Sequence, residues 1–447
     1  MQKVLRKRVL RDLKENLFRY IALAFLIIIG MYVVVSLIGA GATIIDNGEA
    51  HDKANKIEDG QFSVFVPLSD DEISQLEDAG AEVEKMFYED YDVMDGKTLR
   101  VFTNRKNIDL VECDEGRLAE NDDEIVVEKR FSQVNDVSVG DTIQIAGNDF
   151  KVTGIGTSPD YNALFKEMSD TVVDSKVFGT VFVTENAYEK LHSTGESVKT
   201  ETYLYAFRLK GKTTCDDVKD ALGDIKVDTD GMAELKKETD SFLKDYDTDL
   251  ANITSFVTSD DNPRTGGAAD DQQINVQAGY FFGVLLMLLF TYVISVFVVH
   301  GIEKESSVIG ALYALGVKRR DLMMHYLTLP VIVTTVAGII GFLIGISNVG
   351  IPVQMADAYA YYSIPAMDVK IPPILIVYGI VMPPLAAIVV NYFVIRKKLS
   401  QMALSLIKNE VKQPKGSNVD LGDMGFVGRF RVRQMLREMR TGLTVVI

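Results

Sequence analysis

The residues with the strongest claim to chemistry lie between Glu303 and Arg320, in the run EKESSVIGALYALGVKRR. Val308, Ile309, Leu312 and Leu315 recur at helical spacing, with the small Gly310 among them. Glu303 and Glu305 give the segment an acidic start. Gly316 follows where a helix needs a left-handed cap, and Lys318, Arg319 and Arg320 close it with positive charge. Such a pattern performs no covalent chemistry. It suits docking, with Val308, Ile309, Leu312 and Leu315 as an apolar face and Arg319 and Arg320 pairing with acidic groups. A plainer reading is a juxtamembrane turn whose basic side chains snorkel to the interface.

Covalent and metal chemistry find no working constellation. The chain has no G-x-x-x-x-G-K-[ST], H-E-x-x-H, G-x-S-x-G or C-x-x-C, and His51, His192, His300 and His325 are far apart in sequence. Asp90, Asp92, Asp95 and Gly96 suggest a calcium loop, but they sit out of register, with a carboxylate where glycine belongs and Val101 at the closing position. Cys113 and Cys215 share no spacing motif and are read as unpaired. No catalytic, metal-binding or cofactor-binding residue is assigned, so a non-enzyme without cofactors is expected.

The elements that must hold the docking segment are apolar helices. Of the 447 residues, positions 46–279 carry 52 acidic and 24 basic side chains, a net of −28, while the rest of the chain is at +12. One acidic block is inserted into a basic, apolar framework. Residues 1–19 read as a basic amphipathic helix, with Leu5, Val9, Leu13 and Leu17 four apart. Tyr20 to Ile45 then runs for 26 positions without a charge, a helix ~39 Å long that is enough to cross a bilayer. Further spans are expected over 280–299, 327–349 and 371–395, the last interrupted by Pro383-Pro384. None contains an internal Asp, Glu, Lys or Arg, unlike most ion-coupled carriers. Basic loops place the N-terminus and the 303–320 segment in the cytoplasm and 46–279 outside, in a plasma or inner membrane. Gly341 and Gly345 form a GxxxG, with Gly338 on a neighbouring position, and Tyr359, Tyr361 and Tyr362 fall in an outer loop suited to the membrane interface.

The acidic block reads as mixed α/β. Strands are expected over 61–67, 98–103, 139–145, 150–155, 178–183 and 202–209, and a short helix over 70–79. The hairpin turn is placed at Gly147-Asn148. A long helix is expected from Asp230 to Phe256, with Leu235, Phe242, Tyr246, Leu250 and Ile253 on one face. A flexible polar lead follows over 259–277.

The 303–320 pattern resembles the cytoplasmic coupling helix of FtsX-like ABC transporter permeases, a superfamily that includes MacB and the lipoprotein-releasing permeases. The ordered series EGRL, EIVV, VGDTIQI and FKVTGIG resembles the extracytoplasmic core of MacB-type permeases. The resemblance implies a domain order of 1–45 entry helix and first span, 46–279 outer domain, 280–400 membrane domain and 401–447 linker. Residues 431–438 repeat the pattern of residues 8–15, so the linker is read as leading into a second, similar half of a longer permease. The resemblance further implies a separate ABC ATPase docked on 303–320, with movement relayed to the outer domain and a substrate handled at or outside the outer leaflet. Partners would be that ATPase, the lipid bilayer and a second half or second copy, and not nucleic acid. An FtsX-like activator of cell-wall hydrolases and a non-transport membrane receptor stay open as alternatives.

Overall fold

The computed structural model describes residues 9, 11–93, 96–227 and 251–400, with isolated positions between 425 and 435. The expected helical face of Leu235, Phe242, Tyr246 and Leu250, and the repeat at 431–438, fall outside the described residues or on isolated positions. Packing divides the chain into two units: residues 1–40, 275–354 and 369–447 in one, residues 41–274 and 355–368 in the other.

The first unit is built on four helices long and apolar enough to cross a membrane: Leu17–Ala54, Gly267–Lys304, Arg319–Gly345 and Pro373–Lys398. Two of them outrun the spans expected from sequence. Each has 38 residues, ~57 Å of helix against a hydrocarbon core of ~30 Å. The second starts at Gly267, inside the stretch expected to be a flexible lead. One face of each helix meets the others through residues such as Ile27, Val35, Phe290, Ile294, Phe342 and Ala387. The opposite faces expose Phe25, Phe282, Leu343 and Phe393, so the helices are apolar all round, as lipid-facing helices are.

Small residues set how near these backbones come. A methyl group added at Gly341 would lie 2.8 Å from the Ile28 carbonyl oxygen, and one at Gly345 2.8 Å from the Val35 side chain. Gly338 faces the other way, where its added methyl would lie 2.8 Å from the carbonyl oxygen of Gly379. That carbonyl stands four residues before Pro383, which has no N–H to offer it. The expected proline kink is realised as a π-helical turn over Val377–Val381, which relieves the clash of the proline ring with the preceding turn. Inside the bundle Ser295 donates to Asn391 Oδ1 at 3.3 Å, and Asn391 donates to the Ala387 carbonyl at 2.8 Å.

The second unit is α/β. Its first strands are β1 (Gly60–Val64), β2 (Ala81–Lys85), β3 (Tyr88–Val93), β4 (Lys97–Thr103), β5 (Glu112–Gly116) and β6 (Glu124–Glu128). They are followed by β7 (Thr142–Ile145), β8 (Asn148–Thr157), β9 (Phe178–Val183), β10 (Tyr203–Leu209) and β11 (Ser255–Thr258). One sheet runs β11-β1-β10-β2, wholly antiparallel; it packs on the helices Asp70–Asp78 and Cys215–Asp224 through Leu76, Val218 and Leu222. The other has seven strands on the path β3-β4-β9-β6-β8-β5, with β7 paired to β8. The pairs β4–β9 and β6–β8 in it are parallel.

Three local expectations change. The hairpin turn is Ala146-Gly147, both at positive φ, as a two-residue type I′ connection requires, with Asn148 already in β8. Ser255 and Phe256 are strand, because β1 offers β11 a free edge. The tyrosine loop is a helix, Ile351–Tyr361. Its tyrosines are engaged within this unit: Val173 N–H donates to Tyr361 at 3.1 Å and Met367 N–H to Tyr359 at 3.0 Å. The Asp90 of the rejected calcium loop forms a buried pair with Arg100 at 2.8 and 3.0 Å. Cys113 and Cys215 are both free thiols.

A buried charge cluster lies inside this unit. Glu58, just past the first helix, accepts from Asn262 at 3.1 Å, just ahead of the second, and its backbone N–H donates to Asp109 Oδ1 at 2.9 Å. Arg105 lies 2.8 Å from Asp160 and 3.8 Å from Asp109. Arg264 lies over the Tyr161 ring and donates to the Phe165 and Lys166 carbonyls. Three carboxylates thus face two guanidiniums. Burial, with the charge of Asp160 second, pushes Glu58 up to about 8, and burial raises Asp109 as well.

Two predictions follow from this packing. The native carboxyl of Glu58 sits above its ordinary value of 4.5, so its stabilising contribution is complete below about that pH and lost as pH rises through about 8. Thermal unfolding of the full chain in detergent, followed from about pH 5 to about pH 9, should show a loss of stability that Glu58→Gln removes. Gly341→Val should cost about 1–3 kcal/mol by forcing the first and third spans apart, read as a lower melting midpoint in the same detergent.

Candidate coupling site

The segment from Glu303 to Arg320 leaves the second span through a break. Glu305, at φ −101° and ψ 13°, ends the register of Gly267–Lys304, and a new helix runs over Ser306–Ala314. Its end is a Schellman motif. Leu315 is the cap, Gly316 takes φ +85°, Gly316 N–H donates to the Tyr313 carbonyl and Val317 N–H to the Leu312 carbonyl, both at 3.0 Å. Lys318 then returns to extended geometry and the third span begins at Arg319. The left-handed cap expected at Gly316 is what the chain adopts.

The expected docking face does not lie on one side. Ile309 is 0% exposed and belongs to the core of the helical unit, with Ser306 and Gly310 also buried. Leu312 is half-buried, packed against the same core beside Tyr313 and Val317. Val308 is 43% exposed and Leu315 81% exposed. The open face therefore consists of Ser307, Val308, Ala311, Ala314 and Leu315. At 100° per residue these fall within one third of the helix circumference, and Ile309 falls opposite. Sequence reasoning grouped all the aliphatic residues together. Ser307, Ala311 and Ala314 escaped it because small residues give no periodic signal.

Both ends of the helix are tied down. Lys398 donates to Glu303 Oε1 at 2.5 Å, and Tyr326 to Glu305 Oε2 at 2.6 Å. Tyr313 donates to the Leu399 carbonyl at 3.1 Å, and the Arg319 guanidinium donates to the Arg396 carbonyl. Glu303, Glu305 and Arg319 thus find partners within the chain, on the third and fourth spans. Arg320 has no ion-pair partner among the described residues, and both arginines line a groove with Arg396 of the fourth span. His325 is buried, with Nε2 at 3.3 Å from Asp12 Oδ2. Among the described residues no cluster suited to a metal ion occurs.

Ile309→Ala should destabilise the full chain by about 2–4 kcal/mol. Leu315→Ala should change stability by less than about 0.5 kcal/mol. Thermal unfolding of both variants in one detergent separates the buried face from the open one.

Residues 280–401 match the family described as FtsX-like permease C-terminal. No curated protein matches the chain. Among solved structures it is similar to the periplasmic region of MacB from Actinobacillus actinomycetemcomitans, at 10% identity and TM-score 0.25, over 46% of this chain and 91% of that one. It is also similar to the extracellular domain of the noncanonic ABC-type transporter YknZ from Gram-positive bacteria, at 10% identity and TM-score 0.21, over 44% of this chain and 100% of that one.

Proposed function

Because residues 280–401 are an FtsX-like permease domain, we propose that this chain is the membrane subunit of an ABC transporter, moved by a separate ATPase docked on its coupling helix. The observation that carries this reading is the open apolar face of Val308, Ala311 and Leu315 on a helix otherwise fixed to the bundle. An exposed leucine at the tip of a short, doubly anchored helix invites a partner's groove, and Lys318 beside it suits an acidic rim. Of the ten residues singled out from sequence, Val308 and Leu315 make the contact. Ile309, Gly310 and Leu312 seat the helix, Gly316 ends it, and Glu303, Glu305 and Arg319 fasten it.

Movement passes from that helix into the spans that hold it. A push on Leu315 is resisted through Tyr313, Glu303 and Arg319 by the fourth span and through Glu305 by the third. In this reading the movement is relayed from these spans to the outer domain. In this reading the N-terminus and the coupling helix are cytoplasmic, residues 46–279 lie outside, and substrate is handled at or beyond the outer leaflet. A second membrane unit, another copy or a second half, completes the pair that two ATPases would drive.

Leu315→Asp is the direct test, with Val308→Asp as its companion. Affinity purification from the native host in mild detergent should recover a P-loop ATPase with the wild-type chain and lose it with either variant, at unchanged melting midpoint. Full-yield recovery with both variants refutes the docking face. Its absence from the wild-type preparation refutes the subunit reading itself.

A further inference from the structure

A groove with a cavity volume of about 860 Å³ runs between the third and fourth spans. Its lining repeats every three to four residues on Arg319–Gly345, from Arg319 and Arg320 through Met324 to Ile332, and meets Ile388, Tyr392 and Arg396 across the gap. All three arginines therefore gather at one end. The rest of the lining is almost wholly apolar. Thr328 spends its hydroxyl on its own helix, donating to the Met324 carbonyl at 2.6 Å. Among the described residues no carboxylate pairs with any of the three guanidiniums, and the Tyr392 hydroxyl makes no hydrogen bond.

We propose that this groove holds one anionic glycerophospholipid, its phosphate on Arg319, Arg320 and Arg396 and an acyl chain lying between the two spans. Length supports this occupant. From Arg320 to Ile332 the helix rises ~18 Å, close to the ~15 Å depth of one leaflet's hydrocarbon. Charge supports it as well, because guanidiniums bind phosphate oxygens through paired N–H donors and basic pockets between spans favour anionic headgroups. The Arg319 contact to the Arg396 carbonyl holds the two helix ends together and leaves further N–H donors of Arg319 free to point into the groove. Met323 and Met324 let the wall adjust to a flexible chain. A bound lipid here would act as a wedge between the two spans that fasten the coupling helix.

The test uses the full chain with a photoreactive benzophenone side chain at Ile332, reconstituted in vesicles of equal phosphatidylglycerol and phosphatidylcholine. Mass spectrometry then identifies the adduct. The wild-type arginines should favour phosphatidylglycerol over phosphatidylcholine by at least about fivefold. The triple variant Arg319→Gln, Arg320→Gln, Arg396→Gln should bring the ratio near one, and the corresponding triple lysine variant should restore part of it. Arg320→Gln alone, which breaks no ion pair among the described residues, should lower the ratio even if the triple variant fails to fold. A wild-type ratio near one means ordinary lipid contact and overturns the proposal. An equal ratio in wild type and the single variant does so too, as does an adduct with a second copy of the chain.

Discussion

Apolar helices in a bilayer gain nothing from the hydrophobic effect by touching one another, because lipid tails are as apolar as leucine. What holds four such helices in one arrangement is close packing, and here Gly338, Gly341 and Gly345 provide it. These three glycines on the third span face two directions, with Gly341 and Gly345 against the first span and Gly338 against the fourth. The third span is thereby the hub of the helical unit. The π-helical turn of the fourth span belongs to the same constraint. Pro383 leaves the Gly379 carbonyl without its usual N–H, and only a residue with no side chain can come up to that oxygen.

The short helix Ser306–Ala314 inherits its geometry from that hub. Its buried side, Ser306, Ile309 and Gly310, is dictated by the bundle it sits against, and its polar fastenings reach the ends of the third and fourth spans. A helix of nine residues is too short to be stable alone in water. It persists because a cap, a core contact and several tethers fix it at once. The same tethers hold it to the ends of the third and fourth spans while Leu315 stays exposed.

The α/β unit manages a different problem. Three carboxylates and two arginines are buried within it, and burying unbalanced charge is costly. The raised proton affinity of Glu58 and Asp109 reduces that imbalance, since one retained proton brings the cluster to neutrality. Aromatic faces of Phe102, Phe182 and Tyr161 cover the guanidiniums of Arg105 and Arg264 and replace part of the lost hydration. Glu58 and Asn262 bind the two connecting segments to each other across 204 positions of sequence.

Sequence by itself determined the parts that depend on local pattern. Long uncharged runs located four spans, alternation located most strands of the inserted unit, and Gly316 marked the end of the coupling helix, because period, charge and positive φ are properties of neighbouring residues. Which side of the short helix stays open was only half legible. Val308 and Ile309 are adjacent and equally aliphatic, and nothing local says that one meets solvent and the other the bundle. The chain also gave no sign that Ser255 and Phe256 would leave a helical pattern for the edge of β1, or that the long helices would run past their apolar stretches. Nor could it bring Glu58 to Asn262, or Arg320 to Arg396. Those pairings follow from which surfaces find each other when the helices and sheets pack, and tertiary structure alone decides that.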